Sequence, residues 1–144
     1  MENVVAPTQA RVRQLRSPPT IASPDESAAA AWERMLSAGV HHVVVLQEGR
    51  VVGLLARGDL SGPQGGSHRR MGRRVGELMH RDVVTTTSNA SVRRAASLIC
   101  RSRSECLVVV DRGRLTGVLT VWRLLEWFLA PPASNRPESA ESVD

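Results

Sequence analysis

The chain contains a gapless echo of itself. Residues 27–60 lie on residues 91–124 at a constant offset of 64, and nine of the 34 aligned positions are identical, among them Ser27/Ser91, Gly49/Gly113, Gly53/Gly117 and Leu60/Leu124. Most of the remaining positions keep their apolar or polar character. A repeat of this length is two copies of one supersecondary unit. Each copy has about 60 residues, close to the lower limit for a core that stands alone. The 144 residues therefore read as one domain of two interdependent halves. Two such units pack about a pseudo-two-fold axis and leave clefts between them.

The unit itself can be read residue by residue. Thr20-Ile21-Ala22 is a short lead strand. Ser27 is a helix cap, because its hydroxyl can accept from the free amides of the first turn. Behind it Ala28, Ala31, Trp32 and Met35 form a core-facing stripe at helical spacing, and Gly39 is a natural stop. Val43 to Leu46 and Val51 to Leu55 are β-branched and leucine runs around a turn at Gln47-Glu48-Gly49-Arg50, the pattern of a hairpin. Their unbroken apolar character predicts strands covered on both faces.

The second copy repeats this order. Val83-Val84-Thr85 is its lead strand, Ser91 its cap, and Val92, Ala95, Ala96 and Ile99 its stripe. Leu107 to Val110 and Leu115 to Thr120 flank the turn Asp111-Arg112-Gly113-Arg114. The lead segments align at an offset of 63 instead of 64, so the first copy is one residue shorter before its helix. A final helix is predicted from about Val121 to Leu129, ending at Pro131-Pro132. A short helix is expected over residues 10–16, stopped by Pro18-Pro19. The resulting layout is a first repeat at 10–62, a Gly/Arg-rich linker at 63–74, a second repeat at 75–130, and a Pro/Ser/Glu-rich tail at 131–144 whose composition predicts disorder. Residues 1–9 are weakly patterned and expected to fray.

Composition narrows the function classes. The net charge is +5, and all nineteen basic residues are Arg. Without a Lys there is no phosphate loop of the usual kind, and no G-x-S-x-G elbow is present. The carboxylates are scattered, and no room remains outside the repeats for a catalytic domain, so no enzymatic activity is expected. Cys100 and Cys106, with no nearby partner set, make no zinc site. Both fall in or beside apolar runs and are expected to be buried free thiols. The start of the chain lacks the pattern of a signal peptide, and no apolar run approaches membrane-spanning length. A cytoplasmic protein is the expectation.

The order strand–helix–hairpin–helix closes in each copy on a Gly-led segment, GLLARGDL from Gly53 to Leu60 and GVLTVWRL from Gly117 to Leu124. With the lead segment VGELMHRDVVTTTSNAS, this order resembles the CBS domain, named for cystathionine β-synthase, and the tandem pair resembles a Bateman module. The likeness covers about residues 10–129. It implies an α/β fold in which two repeats pack through their sheets about a pseudo-two-fold axis. It further implies a homodimer that binds AMP, ADP, ATP or S-adenosylmethionine in a cleft between repeats, requires no cofactor, and regulates another protein in trans.

In that family a hydroxyl near the end of the last strand meets phosphate, and an Asp three residues later holds the ribose hydroxyls. A carboxylate can accept two hydrogen bonds from a diol. This chain splits the pair. The first copy has Asp59 but Ala56 where the hydroxyl belongs; the second has Thr120 but Arg123 where the carboxylate belongs. Arg123 has donors only and suits phosphate rather than ribose. If one site works, it is the cleft with Asp59. If neither does, Asp59 is only a helix cap and the chain is a ligand-free interaction or oligomerisation module. The likeness places Ile21, Val84 and Thr85 of the lead strands at the ligand, with Arg57, Arg70 and Arg73 as candidate phosphate partners.

His41-His42 precedes the first inner strand. His42 is a candidate for the adenine pocket or for pH sensing, against the plainer reading of a partly buried turn residue. Adjacent residues on a strand point to opposite faces, so the two His do not form a metal pair. Arg69, Arg70, Arg73 and Arg74 make the densest basic patch, either a solvated linker that begins a helix or an arm over a nucleotide. With one Phe and no Tyr to stack on bases, nucleic acid is not the expected partner. Trp122, Trp127 and Phe128 crowd the last helix, facing either the core or a second copy.

Overall fold

In the computed structural model, residues 10–61 and 70–130 are described. The expectations for residues 1–9, for Arg69 and most of the linker, and for the tail 131–144 lie outside them. The first copy runs β1 (Ile21–Ala22), α1 (Ala28–Ala38), β2 (His42–Gln47), β3 (Arg50–Ala56) and α2 (Arg57–Leu60). After α3 (Val75–Leu78), the second runs β4 (Thr85–Thr86), α4 (Val92–Ser102), β5 (Cys106–Asp111), β6 (Arg114–Thr120) and α5 (Val121–Leu129).

The local physics anticipated from the sequence sets these bounds. Ser27 Oγ accepts from the Ala30 amide at 3.0 Å, and Ser91 Oγ from the Arg94 amide at 3.0 Å. Gly39, at φ 68°, closes α1 in the left-handed region. Both hairpins turn through two consecutive positive-φ residues, Glu48-Gly49 and Arg112-Gly113. That turn carries the right-handed twist the flanking strands need.

Each copy forms a three-stranded mixed sheet in which β1 is parallel to β2 and β2 antiparallel to β3; β4, β5 and β6 repeat the arrangement. The registers are superimposable. Ile21 pairs with Val44 as Thr85 pairs with Val108, and a bulge follows Val45 as one follows Val109. Val43 and Val45 join α1 in one core, and Leu107 and Val109 join α4 in the other. The alternate residues Val44, Cys106 and Val108 are buried as well. Both inner strands are thus covered on two faces, and β3 touches β6 between the copies.

Three expectations are corrected. The second lead strand is Thr85–Thr86, not Val83 to Thr85. The slip in the repeat falls between His80 and Thr85, so the strand itself already obeys the offset of 64 and Thr85 is the counterpart of Ile21. The helix expected over 10–16 is a single 3-10 turn at Val12–Gln14, because the backbone beyond it is claimed by tertiary hydrogen bonds. Cys100 is exposed, while Cys106 is buried. Cys100 follows Ile99 on α4, one residue off the apolar stripe, and one step of about 100° turns it to solvent.

The lead-in segments are exchanged. Residues 10–17 lie on the second copy: Val12 N donates to Ala90 O, Val92 N to Ala10 O, and Ser17 and Val118 exchange both backbone bonds at 2.8 and 2.9 Å. Val12 and Leu15 are buried in the core of the second copy. Residues 73–80 lie on the first copy in the same way. Val75 N donates to Glu26 O, Ala28 N to Arg73 O, and His80 and Leu54 exchange both bonds at 2.8 and 2.9 Å. Val75 is buried beside Met35 and Leu60. Neither copy completes its core without this segment, the physical form of the interdependence read from length.

Candidate functional site

Asp59 stands in the first turn of α2, where a carboxylate satisfies an otherwise open amide. Its Oδ2 accepts from the Ala56 amide at 2.8 Å. Its Oδ1 lies 2.6 Å from His80 Nε2. The carboxylate side chain is only 18 % exposed, whereas the His80 side chain is 65 % exposed. His80 arrives on the exchanged segment, fixed by its backbone pairing with Leu54. The sequence reading did not single it out. At the offset of 63 that governs the lead-in segments it corresponds to Ser17, so the repeat carried the signal, but only alongside knowledge of the exchange.

The second copy mirrors this with opposite chemistry. Thr120 Oγ1 accepts from the Arg123 amide at 3.1 Å and caps α5. Arg123, at the position of Asp59, donates through Nε to Leu15 O at 3.2 Å. Each copy thus uses this position to hold the segment lent by the other half, as an acceptor at Asp59 and as a donor at Arg123.

His42 opens β2 and is partly buried. Its Nδ1 is enclosed and has no hydrogen-bond partner among the described residues. Burial holds the imidazole below its usual pKa, against the opposing pull of Glu105. The lead strands give backbone more than side chains. Val84 O accepts from Val108 N at 3.0 Å, and Ile21 O accepts from Arg34 Nη1 at 2.7 Å. The Ile21 side chain is exposed. Thr85 is exposed and lines a groove on the second copy together with residues of α4.

Two of the candidate phosphate partners have structural employment. Arg57 donates through Nε to Val40 O at 2.9 Å, closing the chain behind α1. Arg70 sits over the Trp32 ring with its guanidinium carbon 4.2 Å from the centroid, and donates to Leu60 O at 3.1 Å. A cation over an indole face is attracted by the ring quadrupole. Arg74 donates to Asp25 O at 2.7 Å, so the part of the basic patch within the described residues is folded onto the first copy. Arg73 has an exposed side chain. On α5, Trp127 packs against the second core, while Trp122 is 62 % exposed and Phe128 is also outward. The core reading of the aromatic cluster thus holds for Trp127, while Trp122 and Phe128 face outward.

Among the described residues no cluster of His, Cys, Asp or Glu could hold a metal ion, and no helix is long and apolar enough to cross a membrane. The chain is similar to the CBS domain pair of protein MJ0100, solved in complex with 5′-methylthioadenosine and S-adenosyl-L-methionine, at 22% identity and a TM-score of 0.74, over 83% of this chain and 95% of that one. It is similar to CBSX2 of Arabidopsis thaliana, solved in complex with AMP, at 23% identity and a TM-score of 0.72, over 83% and 97%. A CBS-domain containing protein from Agrobacterium tumefaciens matches at 22% and 0.73, over 83% and 100%. These likenesses are of fold. Inosine-5′-monophosphate dehydrogenase of Thermoplasma acidophilum is 27% identical over 117 residues, covering 81% of this chain, which spans only 23% of that enzyme's length. The model of the CBS domain matches twice, over residues 12–62 and 75–130, each match taking in one copy of the strand–helix–hairpin unit, and the chain belongs to the CBS-domain family as a tandem pair.

Proposed function

We propose that this pair is a regulatory module that takes an adenosine-type ligand beside Asp59 and passes the change to a partner protein in trans. The observation that carries the reading is the state of the Asp59 carboxylate. One oxygen is committed to the α2 cap, and the other is held by a solvent-exposed imidazole. A ribose diol donates to the same oxygen and can take the place of His80 at little cost in desolvation. AMP in one similar structure and S-adenosyl-L-methionine with 5′-methylthioadenosine in another support a ligand of this class.

The route to a signal follows from the exchange. His80 belongs to the segment that the second half lends to the first, so displacing it loosens a tie between the copies. A ligand that binds the loosened arrangement better shifts the population toward it. The apolar outer face of α5, with Trp122, Leu125 and Phe128 exposed, suits a second copy, and the homodimer is part of the proposal. A ligand-free interaction module is the second reading. It is favoured by the second copy, where Thr120 caps α5 and Arg123, a donor only, stands in place of the carboxylate that would accept from ribose.

Calorimetric titration with AMP, ATP and S-adenosylmethionine tests the choice. Asp59→Ala abolishes binding, whereas His80→Ala binds more tightly because one competitor for the carboxylate is removed. Unchanged affinity in Asp59→Ala refutes the assignment, and no heat with any of the three at millimolar concentration transfers the case to the ligand-free reading.

A further inference from the structure

The two copies offer an internal comparison that the first-copy site does not use. Along β4 and α4 runs an open cleft of about 430 Å³, lined among others by Thr85, Thr86, Thr87, Asn89, Arg94 and Arg101. Asp59, Thr120 and Arg123 do not line it. The same place in the first copy is found by subtracting 64. There Asp25 and Glu26 stand for Asn89 and Ala90, Ala30 and Ser37 for Arg94 and Arg101, and Arg34 for Leu98.

In the first copy an ion pair spans this place. Arg34 reaches across to Glu26 at 2.6 Å and to Ile21 O at 2.7 Å, and Glu26 also accepts from the Ser23 amide at 3.0 Å. In the second copy both carboxylates are gone, the bridging guanidinium has become Leu98, and two new guanidiniums flank it. Arg94 and Arg101 have no side-chain hydrogen bond or ion pair among the described residues. Arg13 brings a further positive charge to the rim, donating to Asn89 Oδ1 at 2.8 Å. The neighbouring carboxylate, Asp111, is already engaged by Ser88, Thr116 and Arg16.

Helix electrostatics point the same way. Arg93 and Arg94 lie in the first turn of α4, which has no acidic residue. Positive charge there opposes the helix macrodipole, and an anion in the cleft would relieve the conflict. Guanidinium forks with Thr hydroxyls form a donor set matched to phosphate oxygens. Arg94 and Arg101 are two turns apart, about 10 Å along the axis, a span suited to a chain of phosphates rather than to one.

We infer that the cleft between β4 and α4 of the second copy is a binding site for a small oligophosphate ligand, held by Arg94, Arg101 and the threonines at 85–87. The site is independent of the adenosine reading at Asp59.

Thermal melts with inorganic tripolyphosphate and with ATP test it on the whole chain. Tripolyphosphate raises the melting temperature, since a ligand of the folded state stabilises by mass action. Arg94→Ala with Arg101→Ala weakens binding about tenfold or more, while Arg50→Ala with Arg114→Ala, which removes the same charge outside the cleft, retains it. Equal shifts with both anions assign the phosphate chain itself; a larger shift with ATP assigns a nucleotide, and Asp59→Ala then leaves it intact. The four arginine substitutions change exposed side chains, and alanine favours the helix at 94 and 101. No shift with either anion, equal loss in both double variants, or binding confined to nucleic acid overturns the inference.

Discussion

Gly117→Ala tests the exchange of segments on which the site depends. A Cβ built at Gly117 meets Ser17 O at 2.9 Å, Arg16 Cδ at 3.1 Å and Arg16 Cβ at 3.3 Å. The first contact decides the outcome, because a carbonyl of the main chain cannot swing aside. Ser17 is pinned by its two bonds to Val118, at 2.8 and 2.9 Å. Retreat of the carbonyl stretches both, and staying put leaves an overlap. Overpacking of this kind costs about 1–3 kcal/mol, and weakening the paired bonds about 1 kcal/mol more. Restriction of the unfolded chain by Ala returns about 0.4–1 kcal/mol. The net loss is about 1–3 kcal/mol, or a fall of roughly 3–10 °C in melting temperature at this chain length. Gly58→Ala is the control, since nothing lies within 4 Å of its Cβ; it is neutral or slightly stabilising in α2. Circular-dichroism melts give the stability, and tryptic cleavage after Arg11, Arg13 and Arg16 reports release of the segment. A Gly117→Ala protein that melts with wild type and resists trypsin equally refutes the placement of residues 10–17 on β6.

Asp111 makes stability depend on acid. Hydrogen bonds from Ser88 and Thr116 hold its carboxyl at about 2, below the ordinary 3.8. A depressed folded-state pKa contributes stability above the unfolded value, and that contribution is lost as pH falls from about 4 to about 2. Asp111→Asn therefore melts below wild type at neutral pH, and the gap closes in this acid window; a gap that persists at about pH 2 contradicts the account. The thiols give a further check. Cys100 is exposed, and burial pushes the Cys106 thiol up to about 12. Because the thiolate is the reactive form, a disulfide reagent modifies Cys100 in the native protein and Cys106 only on unfolding; rapid modification of both disproves the burial of Cys106.

What could be read before folding is what local forces decide. Ser27 and Ser91 cap helices by bonds to the amide three residues on, and Gly39, Gly49 and Gly113 sit where a positive φ is needed. These are contacts within a few residues, so the sequence order contains them. The internal echo added the second copy and its order of elements, because like side chains on like strands bury the same faces, whereas the place of the second lead strand needed its pairing with β5. Even Asp59 as a cap was legible, three residues after Ala56.

The rest required long-range packing. Nothing local pairs Ser17 with Val118 or His80 with Leu54; those bonds form because Leu15 and Val75 each find their apolar cavity in the other half. That exchange alone brings His80 to Asp59 and Leu15 O to Arg123. It also explains Gly53 and Gly117, whose bare backbones admit the crossing segments. The fate of the linker arginines was decided likewise, when Trp32 captured Arg70 and Asp25 O captured Arg74. Sequence by itself determined the main helices and hairpins, their caps and turns, and their twofold repetition, since each rests on short-range bonds and on the period of apolar residues. Only the tertiary structure decided which half completes which core, and therefore which partner each charged group meets, since those energies come from surfaces that are far apart in the chain until they are buried together.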